Sequence, residues 1–334
     1  YDSHDVKNYN ISNKCNFKGQ MCPQWKTGQQ EKIVDYLSEK KVEKIIDEAC
    51  RLKIKEFGIS GGEPLIFKDK LLNLLKYASG KGMYTHFATN GSLLDKDFLE
   101  KYNTFGTGHV SISIDGIGKK HDELRGYPGA FIAVEKVLKL FQDNSYNNLN
   151  LKINTVLSNE NLDEVIDVVK LAIKNQAMIF IQPFDPYAYG KKDIKYREDN
   201  FSLWVKKENY TKLREVIKEL VDLKQKYSAF ILNDVKHLEA FYEYFTNSKF
   251  YITCFAGIDQ IAINPQGKVT FCKFGEYGDL KKNSLKDFLK SPSRKKVLKQ
   301  SLICREGCLL GCMFRPSLKS LIFNGFKQFL KLSN

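Results

Sequence analysis

No run of this 334-residue chain approaches the roughly 18 consecutive apolar residues that a membrane-spanning helix requires. No signal-type apolar segment opens it either, so a cytoplasmic location is the default expectation. Acidic residues are in short supply, with 39 Asp and Glu against 53 Lys and Arg and a formal net charge of +14. Solvated lysines account for such a charge as readily as an anionic partner does. The excess is densest in KKNSLKDFLKSPSRKKVLKQ (281–300), so any anion-facing surface is expected there. Cysteine is present, but its eight residues do not read as a disulfide framework. A chain of this length without an export signal favours metal binding over disulfides. Cys50 stands apart from the rest, because it falls beside the apolar helix stripe Val42, Ile45, Ile46 and Ala49 and reads as an inert packed thiol.

Between residues 50 and 185, short apolar strands alternate with amphipathic helices, and no hairpin turn signals separate them. VKNYNIS (6–12), IKEFGIS (54–60), GMYTHFATNG (82–91), HVSISIDG (109–116), LKINTVL (151–157) and MIFIQPF (178–184) read as six strands. Phe131, Val134, Leu138 and Phe141 form one helix stripe, and Leu162, Val165, Ile166, Val169 and Ile173 form another. Asn161 with Glu164 three residues on reads as a capping box for the second helix. Strand–helix alternation implies parallel strands with right-handed crossovers, and six units predict an α/β fold built as a partial (β/α)6 TIM-like barrel. Chemistry in that architecture gathers where strands end. Cys15, the Gly61–Pro64 turn, Asn90, Asp115, Asn154 and Gln182 all fall at such ends.

The barrel core is expected over 1–200, a helical linking region over 201–250, and a small cysteine-rich domain over 251–316. An amphipathic helix is expected over 317–334, with Leu318, Ile322, Phe326 and Phe329 on one stripe. That helix reads as packing on the barrel or on a partner subunit rather than on a membrane surface. Aromatics in FYEYF (241–245) read as core. IDQIAINPQGKVTFC reads as a β-hairpin turning at Pro265–Gly267.

CNFKGQMC, followed in order by SGGEP, ATNG, SISIDG and HDELRG, resembles the radical S-adenosylmethionine superfamily. The C-terminal C…GKVTFC…CREGCLLGC resembles that superfamily's SPASM or twitch auxiliary-cluster extension. The likeness covers about residues 10–316. It implies a three-cysteine loop holding a [4Fe–4S] cluster whose open iron binds S-adenosylmethionine. Reductive cleavage of that molecule gives a 5′-deoxyadenosyl radical, which abstracts hydrogen from a substrate. On this chain the loop positions are Cys15, Gly19 and Cys22, and Gly19 stands where the middle thiolate is expected. Met21 corresponds to the residue beside the adenine. Gly61 and Gly62 permit close backbone approach to the methionyl ammonium, with Glu63 as its carboxylate and Asn90 at the neighbouring strand end. Ser113 and Arg125 correspond to holders of the methionyl carboxylate, a task suited to the planar guanidinium fork. Asn154 and Gln182 correspond to ribose- and adenine-facing positions.

Cys254, Cys272, Cys304, Cys308 and Cys312 are enough for one auxiliary [4Fe–4S] cluster, with a zinc knot as the alternative that spacing leaves open. No acid or base stands out; Asp185 and Tyr187 are candidates by position alone, and His121 reads as support for the HDELRG loop. The resemblance implies oxidation, crosslinking or maturation of a peptide, a protein or a small polar or sugar-like substrate, with an electron donor such as flavodoxin or ferredoxin. Little chain precedes Cys15, so a peptide-recognition module is expected on a separate protein. A relic impaired at Gly19 and a zinc-containing nucleic-acid binder are the alternatives.

Overall fold

The computed structural model describes residues 5–186, 201–247, 250, 260–271, 275–304 and 307–309. Six parallel strands form its centre: β1 (Asp5–Asn10), β2 (Glu56–Ser60), β3 (Tyr84–Thr89), β4 (Gly108–Ser113), β5 (Leu149–Leu157) and β6 (Met178–Pro183). Alternation of side chains between the two faces is clearest in β5. In β5, Leu151, Ile153, Thr155 and Leu157 are buried, while Lys152, Asn154 and Val156 on the other face are half-buried. This is the pattern of a strand with helices on one side and an open barrel interior on the other. The expected partial β/α barrel is therefore the observed architecture.

Helices follow the strands in turn: α1 (Gln24–Gln30), α2 (Glu39–Arg51), α3 (Lys68–Gly80), α4 (Lys96–Phe105), α5 (Lys119–Arg125), α6 (Ala130–Asp143) and α7 (Val165–Lys174). Their starts are local chemistry. The Ser38 side chain accepts from Lys41 N at the head of α2, and Asp95 accepts from Phe98 N at the head of α4. The inward stripe of α2 is Val42, Ile45, Ile46 and Ala49, as its spacing predicts. The start of α7 differs from expectation. The capping box joins Ser158 and Asn161 in a 3-10 turn (Asn159–Asn161), and α7 begins four residues later. Glu164 does not close that box, because its Oε2 instead accepts from Ile117 N at 2.7 Å.

Beyond the barrel, α8 (Tyr210–Lys226) and α9 (Val235–Thr246) pack as a pair. The region expected to link is part of the core: Trp204, Phe241, Tyr244 and Phe245 are buried, and the Trp204 ring lies 4.9 Å from Phe245 and 5.2 Å from Tyr244. The chain before α9 also covers the free edge of β6. Ile179 N donates to Phe230 O, Leu232 N donates to Ile179 O, and the Asn233 amide makes two bonds to Ile181, accepting from its N–H and donating to its carbonyl. A side-chain amide thus stands in for a peptide unit where an edge would otherwise be open.

At the opposite edge, β1 pairs in parallel with β7 (Gln260–Ile263). That strand runs antiparallel to β8 (Lys268–Thr270), which pairs with β9 (Glu276–Asp279). The predicted hairpin is present, with Gly267 at φ +86 in its turn. Among the described residues its strands continue the sheet of the barrel, in the order β6-β5-β4-β3-β2-β1-β7-β8-β9. Two short helices follow, α10 (Leu285–Lys290) and α11 (Pro292–Ile303). Residues 317–334, with the expected amphipathic helix, lie outside the described residues. No helix among the described residues is long and apolar enough to cross a membrane.

Candidate active site at the strand ends

The chain leaving β1 runs directly over the Gly61–Gly62 turn after β2. Gly62 N donates to Ser12 O at 2.7 Å and Glu63 N to Lys14 O at 2.8 Å. A Cβ at Gly61 would stand 2.2 Å from Ser12 O, and one at Gly62 2.1 Å from Lys14 O. Gly61 also has φ +146. Two glycines are thus required by the approach of Ser12–Lys14, the stretch that delivers Cys15. Gly28 of α1 closes the same stretch from the other side, because its Cβ would lie 2.1 Å from Asn13 O.

Glu63 is fully buried. Its Oε1 accepts from Leu65 N and Thr89 Oγ1 at 3.0 and 2.8 Å, and its Oε2 accepts from Asn90 N at 2.7 Å. Burial pushes its pKa up to about 7, against the pull of these donors. As placed, this carboxylate ties the Gly61–Pro64 turn to the end of β3 and has no solvent face. Asn90 continues the link by donating from Nδ2 to Asn16 Oδ1 at 2.8 Å, and Asn16 in turn donates to Ser92 Oγ at 2.9 Å.

The Cys15–Cys22 loop rests on the end of α5. Gln20 N donates to Leu124 O at 2.9 Å and its side-chain amide to Glu123 O at 2.9 Å. Lys18 passes so close to Gly126 that a Cβ there would lie 2.3 Å from Lys18 O. Phe17 stacks on Tyr127 at 4.3 Å, and Trp25 Nε1 donates to Gly19 O at 3.3 Å. Gly19 is unlike the other glycines of the site. A Cβ there would find Leu124 O at 3.7 Å and Arg125 O at 3.8 Å, ordinary contact distances, and its φ is not positive. The loop therefore has room for a side chain where it carries none.

Arg125 and Asp115 form the charged element of the rim. Arg125 Nη2 lies 2.5 Å from Asp115 Oδ2, and Asp115 Oδ1 accepts from Val156 N at 2.8 Å. Burial raises the Asp115 pKa, with the Arg125 guanidinium and the Val156 N–H opposing it. Asp115 N donates to His121 Nδ1 at 3.1 Å, which makes Nδ1 the bare nitrogen of a neutral ring. Burial, reinforced by Arg125, holds His121 down to about 3. His121 is thus a support for the HDELRG loop, as the sequence indicates. Arg125 Nε is buried without an acceptor among the described residues, so the guanidinium has an N–H to spare. Its field also favours the thiolate at both Cys15 and Cys22. Cys15 is half-buried, and its sulfur accepts from Phe17 N at 3.4 Å, although burial still pushes its thiol up.

Ser113 and Asn154 are register partners on β4 and β5, and Gln182 is the partner of Val156 on β6; all three are half-buried. Met21 is half-buried against the core. Asp185 is half-buried just past β6, and Tyr187 lies outside the described residues. Cys254, Cys272 and Cys312 also lie outside them. Cys304 caps the end of α11, and Cys308 is half-buried between Gly307, which crosses closely over Phe250 O, and the buried Leu309. Sequence reasoning missed Asn16, Thr89 and Trp25, whose roles depend on partners far along the chain.

Two thiols, a shaped but vacant third position and an orphaned guanidinium N–H are compatible with an iron–sulfur cluster and a bound carboxylate. Cys15 and Cys22 would hold the cluster. Comparison with known proteins agrees. Over 142 residues the chain is 32% identical to the Fe-coproporphyrin III synthase of Methanosarcina barkeri, a match covering 42% of this chain and 35% of that protein. Over 131 residues it is 31% identical to the PqqA peptide cyclase of Bradyrhizobium diazoefficiens, covering 39% and 33% respectively. The chain thus matches about a third of the length of these two relatives. The structure of Streptococcus suis SuiB bound to precursor peptide SuiA superposes with a TM-score of 0.65 at 16% identity, over 88% of this chain and 67% of that one, a likeness of fold. Residues 254–313 match an iron–sulfur cluster-binding domain, which turns the C-terminal cysteines away from a zinc knot. The chain carries a domain of the radical SAM superfamily over residues 9–172 and an iron–sulfur cluster-binding SPASM domain over residues 254–313, and these domains imply [4Fe–4S] clusters.

Proposed function

We propose that the chain is a radical S-adenosylmethionine enzyme that modifies a peptide or protein by hydrogen abstraction. The observation that carries this reading is the convergence of the Cys15–Cys22 loop, the Gly61–Gly62 turn and Arg125 on one barrel rim. Cys15 and Cys22 would hold a cluster that, when bound and reduced, would supply the electron for cleavage of S-adenosylmethionine to the 5′-deoxyadenosyl radical. The chain's own residues bind and orient. The Gly61–Gly62 main chain receives the methionyl ammonium, and Glu63 fixes that turn from beneath. Arg125, oriented by Asp115, would take the methionyl carboxylate together with Ser113. Met21, Asn90, Asn154 and Gln182 border the adenosine. A peptide substrate is supported by the relatives, one named a peptide cyclase and one captured with a precursor peptide. An electron donor and a separate recognition protein complete the proposal.

Gly19 favours a second reading, a chain that keeps the auxiliary cluster but makes little radical. Anaerobic reconstitution with S-adenosylmethionine and dithionite decides between the two. Formation of 5′-deoxyadenosine by the wild-type chain supports the enzyme. Formation only by Gly19→Cys supports the impaired form, and failure of both removes the enzymatic reading.

A further inference from the structure

Some exposed lysines on α4, α5 and α7 have acidic neighbours. Lys96 pairs with Glu100, Lys101 with Asp97, Lys119 with Glu123 and Lys170 with Glu219. The surface of α10 and α11, with the turn before them, concentrates unpaired lysines. Lys282, Lys286, Lys290, Lys295, Lys296 and Lys299 are all exposed, and no ion pair among the described residues involves any of them. From 280 to 304 the sole acidic residue is Asp287, whose carboxylate accepts from Ser284 Oγ at 2.6 Å. Lys286 with Lys290 and Lys295 with Lys299 stand at i and i+4 on their helices, a spacing at which like charges repel. The two helices therefore carry like charges at a repelling spacing, with Asp287 as their one carboxylate.

We infer that this face is the docking surface for an acidic protein of the one-electron-carrier class. Its make-up argues against other anions. Single-stranded nucleic acid needs exposed aromatic rings to stack on, and the one aromatic of the segment, Phe288, is buried. Phosphate recognition favours arginine forks, and the one arginine, Arg294, is half-buried with Nη1 donating to Leu289 O at 3.1 Å. A membrane-surface helix needs an apolar outer face. On α11 Val297 is turned into the core, and among the described side chains the one large exposed apolar residue is Ile303. An exposed apolar side chain on a lysine-rich helix fits a small, charge-steered, transient protein contact. The position identifies the class of partner. Cys304 directly follows α11 as its cap, and Lys299 lies only roughly 8 Å before it along the helix axis. A partner seated on these lysines meets the cysteine-bearing end of the helix. This inference rests on the iron–sulfur reading of that end, but its test does not depend on S-adenosylmethionine cleavage.

The test is equilibrium binding of flavodoxin, as an acidic probe, to the full reconstituted chain by calorimetry. Wild type is compared with Lys290→Glu/Lys295→Glu/Lys299→Glu and with a control, Lys136→Glu/Lys139→Glu on α6. Expected are binding that weakens as salt rises, a loss of at least about tenfold in the triple variant, and none in the control. Iron content and melting temperature of each variant establish that it is folded, and Lys→Gln at the same three positions gives an intermediate loss. Equal binding by wild type and the triple variant overturns the inference. So does absence of flavodoxin binding at low salt, or binding of single-stranded RNA or phosphatidylserine vesicles in its place.

Discussion

Arg125 Nη2 meets Oδ2 of the buried Asp115 at 2.5 Å, and through this pair the end of α5 is locked to the end of β4. Removing one member leaves the other buried and uncompensated. Asp115→Asn is expected to cost about 3–5 kcal/mol, read from urea unfolding. Arg125→Lys keeps the charge but loses the fork, and should weaken S-adenosylmethionine binding more than it lowers stability. Equal stability of wild type and Asp115→Asn would show that the pair holds nothing.

Gly19 and Gly62 should respond in opposite ways to a side chain. Gly19→Cys meets only ordinary contacts. It is expected to fold like wild type and to raise the iron bound after reconstitution by up to one cluster per chain. Gly62→Ala drives a methyl to within 2.1 Å of Lys14 O; a loss of at least about 2 kcal/mol is expected. Iron analysis and melting temperatures check both.

Glu63→Gln tests the carboxylate beneath the turn. An amide can accept on one oxygen only, so its NH2 would face the Asn90 N–H donor to donor. A loss of about 1–3 kcal/mol is expected. Because burial raises this group to about 7, the folded chain binds the proton more tightly than the unfolded one. Wild-type stability should therefore fall between about pH 4.5 and 7 on account of Glu63, and Glu63→Gln should lack that slope.

Three buried histidines act in the other direction. His109, His121 and His237 are held down to about 2, 3 and 4, chiefly by burial. Below about pH 6.5 the unfolded chain takes up protons that these rings refuse, so their contribution to stability is lost as pH falls from 6.5 towards 4. Denaturant midpoints across that range should decline on acidification, and His237→Gln should lessen the decline. A flat profile would count against neutral, buried rings.

The barrel was readable because each strand announces itself within a few residues, as in the alternation of Leu149–Leu157, and because helix stripes such as Val42–Ala49 repeat locally. The glycine pair and the two thiols were readable as motifs. What could not be read were partners distant in the chain: Asn16 with Asn90, Gln20 with Leu124, Glu164 with Ile117. Glu164 misled for that reason, since its spacing from Asn161 fits a cap while its carboxylate serves the loop after β4. The union of the hairpin with the barrel was hidden in the same way. A parallel pairing of residues 5–10 with 260–263 has no local signature.

That union bears on how the gene can be divided. β1 is hydrogen-bonded to β2 on one flank and to β7 on the other, and the chain leaving it becomes the Cys15 loop. A truncated protein ending near residue 250 would strip one flank of this strand bare, exposing peptide groups that recruit neighbouring molecules. Such a fragment should precipitate or self-associate rather than behave as an autonomous catalytic half, so expression trials are better served by keeping both cysteine regions on one polypeptide.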